Sequence, residues 1–148
     1  MSATGTAPHI EPSQVPHVSA LGIEIVESGH GRLVMRLPAQ PTLIGNPDSG
    51  ALFGGAVFTL MDTVCGFLTL ASVPDGQPAA TLDLRVDYVA PARGDRDLYA
   101  EALCTRVTRQ VVFCRASAWQ DDPESPVATA LCSFMINRPA AEPVAGSR

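Results

Sequence analysis

Lysine is absent from this 148-residue chain: all ten basic residues are Arg, set against fifteen acidic residues for a formal net charge of −5. A duplex nucleic-acid binder presents a dense cationic face, and ten scattered Arg do not build one, so nucleic acid is excluded as a partner. Aromatic residues make up only 5% and charged residues only 17%. The four Cys stand at positions 65, 104, 114 and 132, no two closer than ten residues. That leaves no C-x-x-C metal or redox pattern, and the thiols read as small buried apolar side chains. No Walker loop, dinucleotide glycine pattern or ligand cluster occurs, so no metal and no cofactor are expected. No basic segment followed by an apolar run opens the chain, so no secretory signal is read there. With the cysteine usage, this points to a reducing cytoplasm.

What is present is apolar: 46% of residues are hydrophobic. The length is that of one domain, able to bury roughly 70% of its unfolded surface without a disulfide or metal staple. Residues 1–16 and 139–148 are rich in Pro, Ser, Thr and Ala and read as flexible tails, because neither buries enough apolar area to offset its chain entropy. The folded domain is expected over residues 17–138.

Inside it the hydrophobic period changes from two to helical and back. Residues 21–28 alternate and predict a strand, Gly29-His30-Gly31 supplies a turn, and residues 32–37 return as its hairpin partner. Three Pro, two Gly and an Asn mark residues 38–50 as a long loop. Residues 54–72 contain no Pro and are too many for a strand, which predicts a helix roughly 27 Å long. Four strands follow, over 79–89, 97–107, 111–121 and 127–137. In the first, Leu82, Leu84, Val86 and Tyr88 alternate with Asp83, Arg85 and Asp87, the half-buried pattern of an antiparallel sheet. One long helix within six strands is an α+β architecture.

The helix carries one charge between Ala51 and Val73, namely Asp62. A surface helix normally has a charged face, so this one is expected to be covered nearly all round. A transmembrane span has about this length, but a central carboxylate costs ~2.5–3.5 kcal/mol there even on the lenient scale. The strands that follow also need a core, so no membrane is expected. Gly55, Thr59, Asp62, Gly66 and Thr69 recur at spacings of four, three, four and three, placing them on one helical face. On that small-residue face Asp62 is either a solvated carboxylate or a desolvated one suited to general-base or nucleophilic work. Gly54-Gly55 is either a tight entry turn or a helix start whose free N–H groups face a developing oxyanion.

The stretch GALFGGAVFTLMDTVCG, followed by AATLDLRVDYVAPARGD, resembles the hot-dog-fold acyl-CoA thioesterases of the phenylacetate-pathway, PaaI-like type. Their pattern is Leu-His-Gly-Gly, an Asp nine residues after the His, a strand with a small polar residue, and a Pro-Ala turn closing on Gly-Asp. The matching positions are Leu52, Phe53, Gly54, Gly55, Asp62, Thr81, Pro91, Ala92, Gly94 and Asp95, within a likeness covering residues 20–137. The resemblance implies a single hot-dog domain, a curled sheet of about six strands wrapped around one helix. It further implies a homodimer or dimer of dimers, with Asp62 of one subunit facing the Gly55 end of another. By the same resemblance Asp62 activates water or attacks the acyl-CoA carbonyl, the Gly55 N–H polarises that carbonyl, and Thr81 holds the water or the carboxylate. Asn46 is a further polar candidate, in a register shifted by about one residue. CoA enters only as part of the substrate.

Phe53 stands where the family has His. It cannot hydrogen-bond a carbonyl, which raises the alternative of an acyl-CoA-binding protein without turnover. Together with Gly54 and Met61, Phe53 is expected to contact the acyl group. Arg suits phosphate, so Arg93 and Arg109, each in a turn, are read either as solvated residues or as contacts to the CoA phosphates.

Overall fold

The computed structural model describes residues 10–74 and 77–136. Its frame is a six-stranded antiparallel sheet packed on one long helix, the α+β hot-dog arrangement. A short helix α1 (Pro16–Ala20) precedes the hairpin β1 (Glu24–Gly29) and β2 (Arg32–Leu37). The long helix α2 spans Gly54–Ser72. It is followed by β5 (Ala79–Tyr88), β6 (Leu98–Val107), β7 (Val111–Trp119) and β8 (Ala128–Ile136), after the short β3 (Ile44–Asn46) and β4 (Ala51–Leu52). The large sheet runs β1-β2-β6-β7-β8-β5, so β5 is an edge strand.

Six alanines form the floor on which α2 lies. Ala102 pairs with Ala116 and Ala100 with Ala118, and these pair in turn with Ala130 and Ala128. Such short side chains let the helix axis approach the sheet, where Leu60, Met61, Val64 and Cys65 of α2 are fully buried. Each Leu or Met enclosed this way contributes on the order of 1.5–3 kcal/mol. Leu33, Met35 and Leu37 of β2 and Val112, Phe134 and Ile136 close the rest of the core.

Several expectations change. Residues 38–50 are more than a loop: Pro41–Leu43 form a 3-10 turn, and β3 pairs with β4. Residues 12–14, assigned to the N-terminal tail by composition, form a 3-10 turn leading into α1, whose Val18 is buried. Residues 1–9 and the C-terminal tail at 139–148 lie outside the described residues. The helix is covered on one side only. Gly55 and Phe58 are exposed, and Thr59, Asp62, Thr63 and Gly66 are half-buried. Thr69, expected on that open face, is buried and donates to the Cys65 carbonyl at 2.9 Å.

Leu82 does not share a face with Leu84. Thr81 pairs with Phe134 and Asp83 with Ser133, so Leu82 is the extra residue of a β-bulge. One inserted residue reverses the alternation. Strict alternation sends Thr81 outward with Asp83; the bulge turns it inward, beside the buried Phe134.

Candidate active site

The bulge brings Thr81 to the helix. Its Oγ1 donates to Asp62 Oδ1 at 2.9 Å, across the seam between the edge strand and the middle of α2. A hydroxyl donor on one oxygen orients the carboxylate and leaves the other free to act. The neighbouring hydroxyls are occupied within the helix: Thr59 donates to the Gly55 carbonyl at 2.9 Å and Thr63 to the Thr59 carbonyl at 2.6 Å. Asp62 is the only acidic residue of α2 and the one carboxylate in a groove of about 200 Å³ that it shares with Val18, Gly66, Phe67, Leu70 and Phe134.

The start of α2 is held from several sides. The Leu52 N–H donates to the Ala92 carbonyl (2.9 Å) and the Phe53 N–H to the Leu43 carbonyl (2.8 Å). The Gly94 N–H donates to the Gly50 carbonyl at 2.8 Å. Gly94 has no room for a side chain, since a Cβ would fall 2.4 Å from Ile44 Cγ1. The Tyr88 hydroxyl donates to the Gly54 carbonyl at 2.9 Å, and partial burial pushes this phenol above its ordinary range. Phe53 is the N-cap and supplies no side-chain cap; the Ala56 N–H donates to the Phe53 carbonyl at 3.0 Å, which leaves the Gly54 and Gly55 N–H groups for a ligand. The Phe53 ring, 61% exposed, lies over Gly55, where a Cβ would come within 2.5 Å of Phe53 Cε1. A side chain at 55 would force this exposed ring to swing aside.

The remaining candidates separate. Asn46 Oδ1 accepts from the Asp48 and Ser49 N–H groups at 3.0 and 3.4 Å, so it shapes the turn before the helix. Met61 is wholly buried and is a core residue, not a contact for an acyl group. One position before Asp62 lies about 100° round the helix, facing the sheet. Arg93 pairs with Asp95 through two bonds of 3.0 and 2.9 Å, which hold the Asp95 carboxyl below its usual range. Arg109 lies in the β6–β7 turn, next to Gln110, whose carbonyl accepts from the Ile136 N–H. Since Ile136 faces Ala79 at the far end of β5, Arg93 and Arg109 stand at opposite ends of a strand roughly 30 Å long. One chain does not bring them together. Phe67, an aromatic of the same helix that could equally line a site or serve the core, does border the groove with Asp62, whereas composition gave no sign of Val18 and Leu70, the latter about two turns beyond Asp62 on α2.

The thioesterase superfamily model matches residues 49–127, more than half of the chain, from the loop before α2 to the start of β8. The chain belongs to the thioesterase superfamily. Its fold is the hot-dog fold of those thioester hydrolases. A crystal structure of a Pseudomonas aeruginosa protein is 45% identical, covers 83% of this chain and 91% of its own, and superposes with a TM-score of 0.75. The PaaI protein of the Escherichia coli phenylacetic acid degradation operon shares the fold at 19% identity and a TM-score of 0.75, over 85% of this chain and 87% of its own. The medium/long-chain acyl-CoA thioesterase YigI of Salmonella typhimurium is 25% identical over 82% of this chain and 86% of its length. A Halobacterium salinarum relative is 37% identical, over 61% of this chain and 60% of its own length.

Proposed function

We propose that this superfamily member hydrolyses acyl-CoA thioesters to the free acid and CoA, with the reacting centre shared between two subunits. The observation that carries the reading is the Asp62–Thr81 pair on an otherwise uncharged, uncovered helix face. The acyl-CoA thioesterase among the relatives supports the substrate class.

Distance argues for a second subunit. Asp62 and Gly55 lie seven residues apart on α2, about 10 Å along the axis. An attacking group and an oxyanion donor must both come within about 3 Å of one carbonyl. No thioester meets both within one chain. A second α2 running antiparallel across the open face supplies its Gly55 end to Asp62 and covers the apolar surface at Phe58, so a homodimer, alone or paired again, is the proposed working form.

In this account the Asp62 carboxylate takes a proton from water, whose oxygen adds to the carbonyl carbon, or it adds to that carbon itself. The second route gives a mixed anhydride that water then hydrolyses to the free acid and Asp62, the proton of that water going to the CoA thiolate. Thr81 fixes the orientation of the carboxylate. The partner's Gly55 N–H stabilises the oxyanion as the C–S bond breaks, and CoA leaves as the thiol after recovering the proton. The chemistry needs no cofactor or metal. Gly54 and Phe53 border the carbonyl, with the Phe53 ring offering an apolar contact where a hydrogen-bonding residue is absent. Asn46 supports that end by fixing its turn. Arg109 of one subunit, and Arg93 of the other by exchanging Asp95 for phosphate, are the proposed contacts to CoA. Four free thiols fit a cytoplasmic protein.

Free-thiol release from an acyl-CoA panel, wild type beside Asp62→Asn, tests this. Turnover lost in the variant supports it; equal turnover in both contradicts the role of Asp62. The second reading, acyl-CoA binding without turnover, is favoured by Phe53 over Gly55. It predicts tight binding with no thiol released.

A further inference from the structure

We propose that the groove beside Asp62 is the acyl pocket, and that Gly66 and Val18 set the size of the acyl group it takes: one ring, or a straight chain of about six carbons. This rests on the thioesterase reading and adds to it the substrate's acyl class.

The groove has the polarity of an acyl thioester. Asp62 and Thr63 stand at one end, and Val18, Phe67, Leu70 and Phe134 make the rest apolar. It runs along α2 from Asp62 to Leu70, about 12 Å at 1.5 Å per residue. A carbonyl held at Asp62 therefore directs its acyl tail along the helix. The walls are firm: Val18 and Phe67 are each 5% exposed and Phe134 is 3% exposed. The part of it that one chain supplies, open toward the face the second subunit covers, is about 200 Å³, of the same order as the ~150 Å³ that accepts benzene in an engineered apolar cavity and below the ~300–1,000 Å³ of sites for larger ligands.

Gly66 carries the size argument. Glycine within a helix is costly relative to Ala, so its presence needs a cause. Packing in this chain is not the cause, because a Cβ at Gly66 would meet Phe134 Cε1 at 3.5 Å, ordinary contact. What the missing side chain leaves is space in the groove. Val18 limits the opposite wall. It comes from α1, of which only Pro16 fell within the expected tail.

The test is kcat/KM across butanoyl-, hexanoyl-, octanoyl-, dodecanoyl- and phenylacetyl-CoA for wild type, Gly66→Ala and Val18→Ala. Wild type is expected to gain about fourfold per methylene up to about six carbons, then level off. Gly66→Ala, with its helix content intact by circular dichroism, should lower the hexanoyl-to-butanoyl ratio about fourfold, and Val18→Ala should move the plateau to longer chains. A wild type that keeps gaining up to dodecanoyl, or variants with an unchanged length profile, would overturn the pocket and leave the thioesterase reading standing. Loss of the dimer by light scattering in Gly66→Ala would assign the glycine to subunit contact instead. Absence of turnover on the whole panel would overturn the thioesterase reading. The pocket is then judged by calorimetric binding of hexyl- and ethyl-CoA thioethers. A hexyl preference lost in Gly66→Ala supports it, and equal binding overturns it.

Discussion

Replacing Thr81 by Val removes the hydroxyl that orients Asp62 and little else. Val is close to Thr in shape and suits a strand, and β5 is an edge strand on which Thr81 is exposed, so folding is barely affected. The lost bond is 2.9 Å long and ends on a carboxylate. Bonds of that kind contribute about 1.5–3 kcal/mol, and partial exposure points to the lower end. At 1.36 kcal/mol per factor of ten, kcat should fall about tenfold, with KM nearly unchanged, because Thr81 orients the attacking group without holding CoA. Thr81→Ser keeps the donor and should recover most of the rate. The assay is steady-state thiol release, beside a thermal melt to show equal stability. A Thr81→Val enzyme within twofold of wild type would refute the reasoning, and so would a loss confined to KM.

Met61→Ala should cost about 2–5 kcal/mol, the range for a buried large-to-small change, and lower Tm by roughly 5–15 °C. The KM of the folded fraction should stay as it was, since Met61 faces the sheet. Cys104, Cys114 and Cys132 all sit above the ordinary thiol range; hydrogen bonding to Cys114 and then burial raise Cys104. The thiolate fraction is therefore very small near neutrality, so these three should resist a disulfide reagent at pH 8 in the native protein and react at once in denaturant. Cys114 and Cys132 are buried, whereas Cys104, expected to be buried, is only partly so; rapid labelling of Cys114 or Cys132 in the native protein would contradict the account.

The helix was legible because its signal was unambiguous: nineteen residues without Pro and a single charge predicted Gly54–Ser72 with the bounds the structure has. Strands β5 to β8 appeared within about two residues of expectation, because turn residues bracket each one. The bulge at Leu82 was not legible. The run from Thr81 to Tyr88 alternates without interruption in sequence, and only its register against β8 reveals the extra residue. That residue decides which way Thr81 points, so its partnership with Asp62 was available from family resemblance and not from periodicity. Met61 was misassigned because adjacency to Asp62 in sequence is divergence on a helix. Arg93 and Arg109 looked alike as turn residues, and only the sheet order separates them. The uncovered helix face was readable in part: missing charges implied a cover, but not that this chain supplies it on one side alone.

The shared centre is tested most directly by mixing two inactive variants. Asp62→Asn removes the attacking carboxylate. Gly55→Val places a branched side chain where even a Cβ would fall 2.5 Å from the Phe53 ring, obstructing the helix-end N–H. In a two-fold dimer, a mixed pair retains one centre with wild-type Asp62 and a wild-type Gly55 end. Refolded together in equal amounts, the variants should recover about a quarter of wild-type thiol release, since half the dimers are mixed and each mixed dimer has one of two centres intact. Recovery of that size is the predicted result. No recovery, with mixed dimers demonstrated by mass spectrometry, would contradict a site built from two subunits.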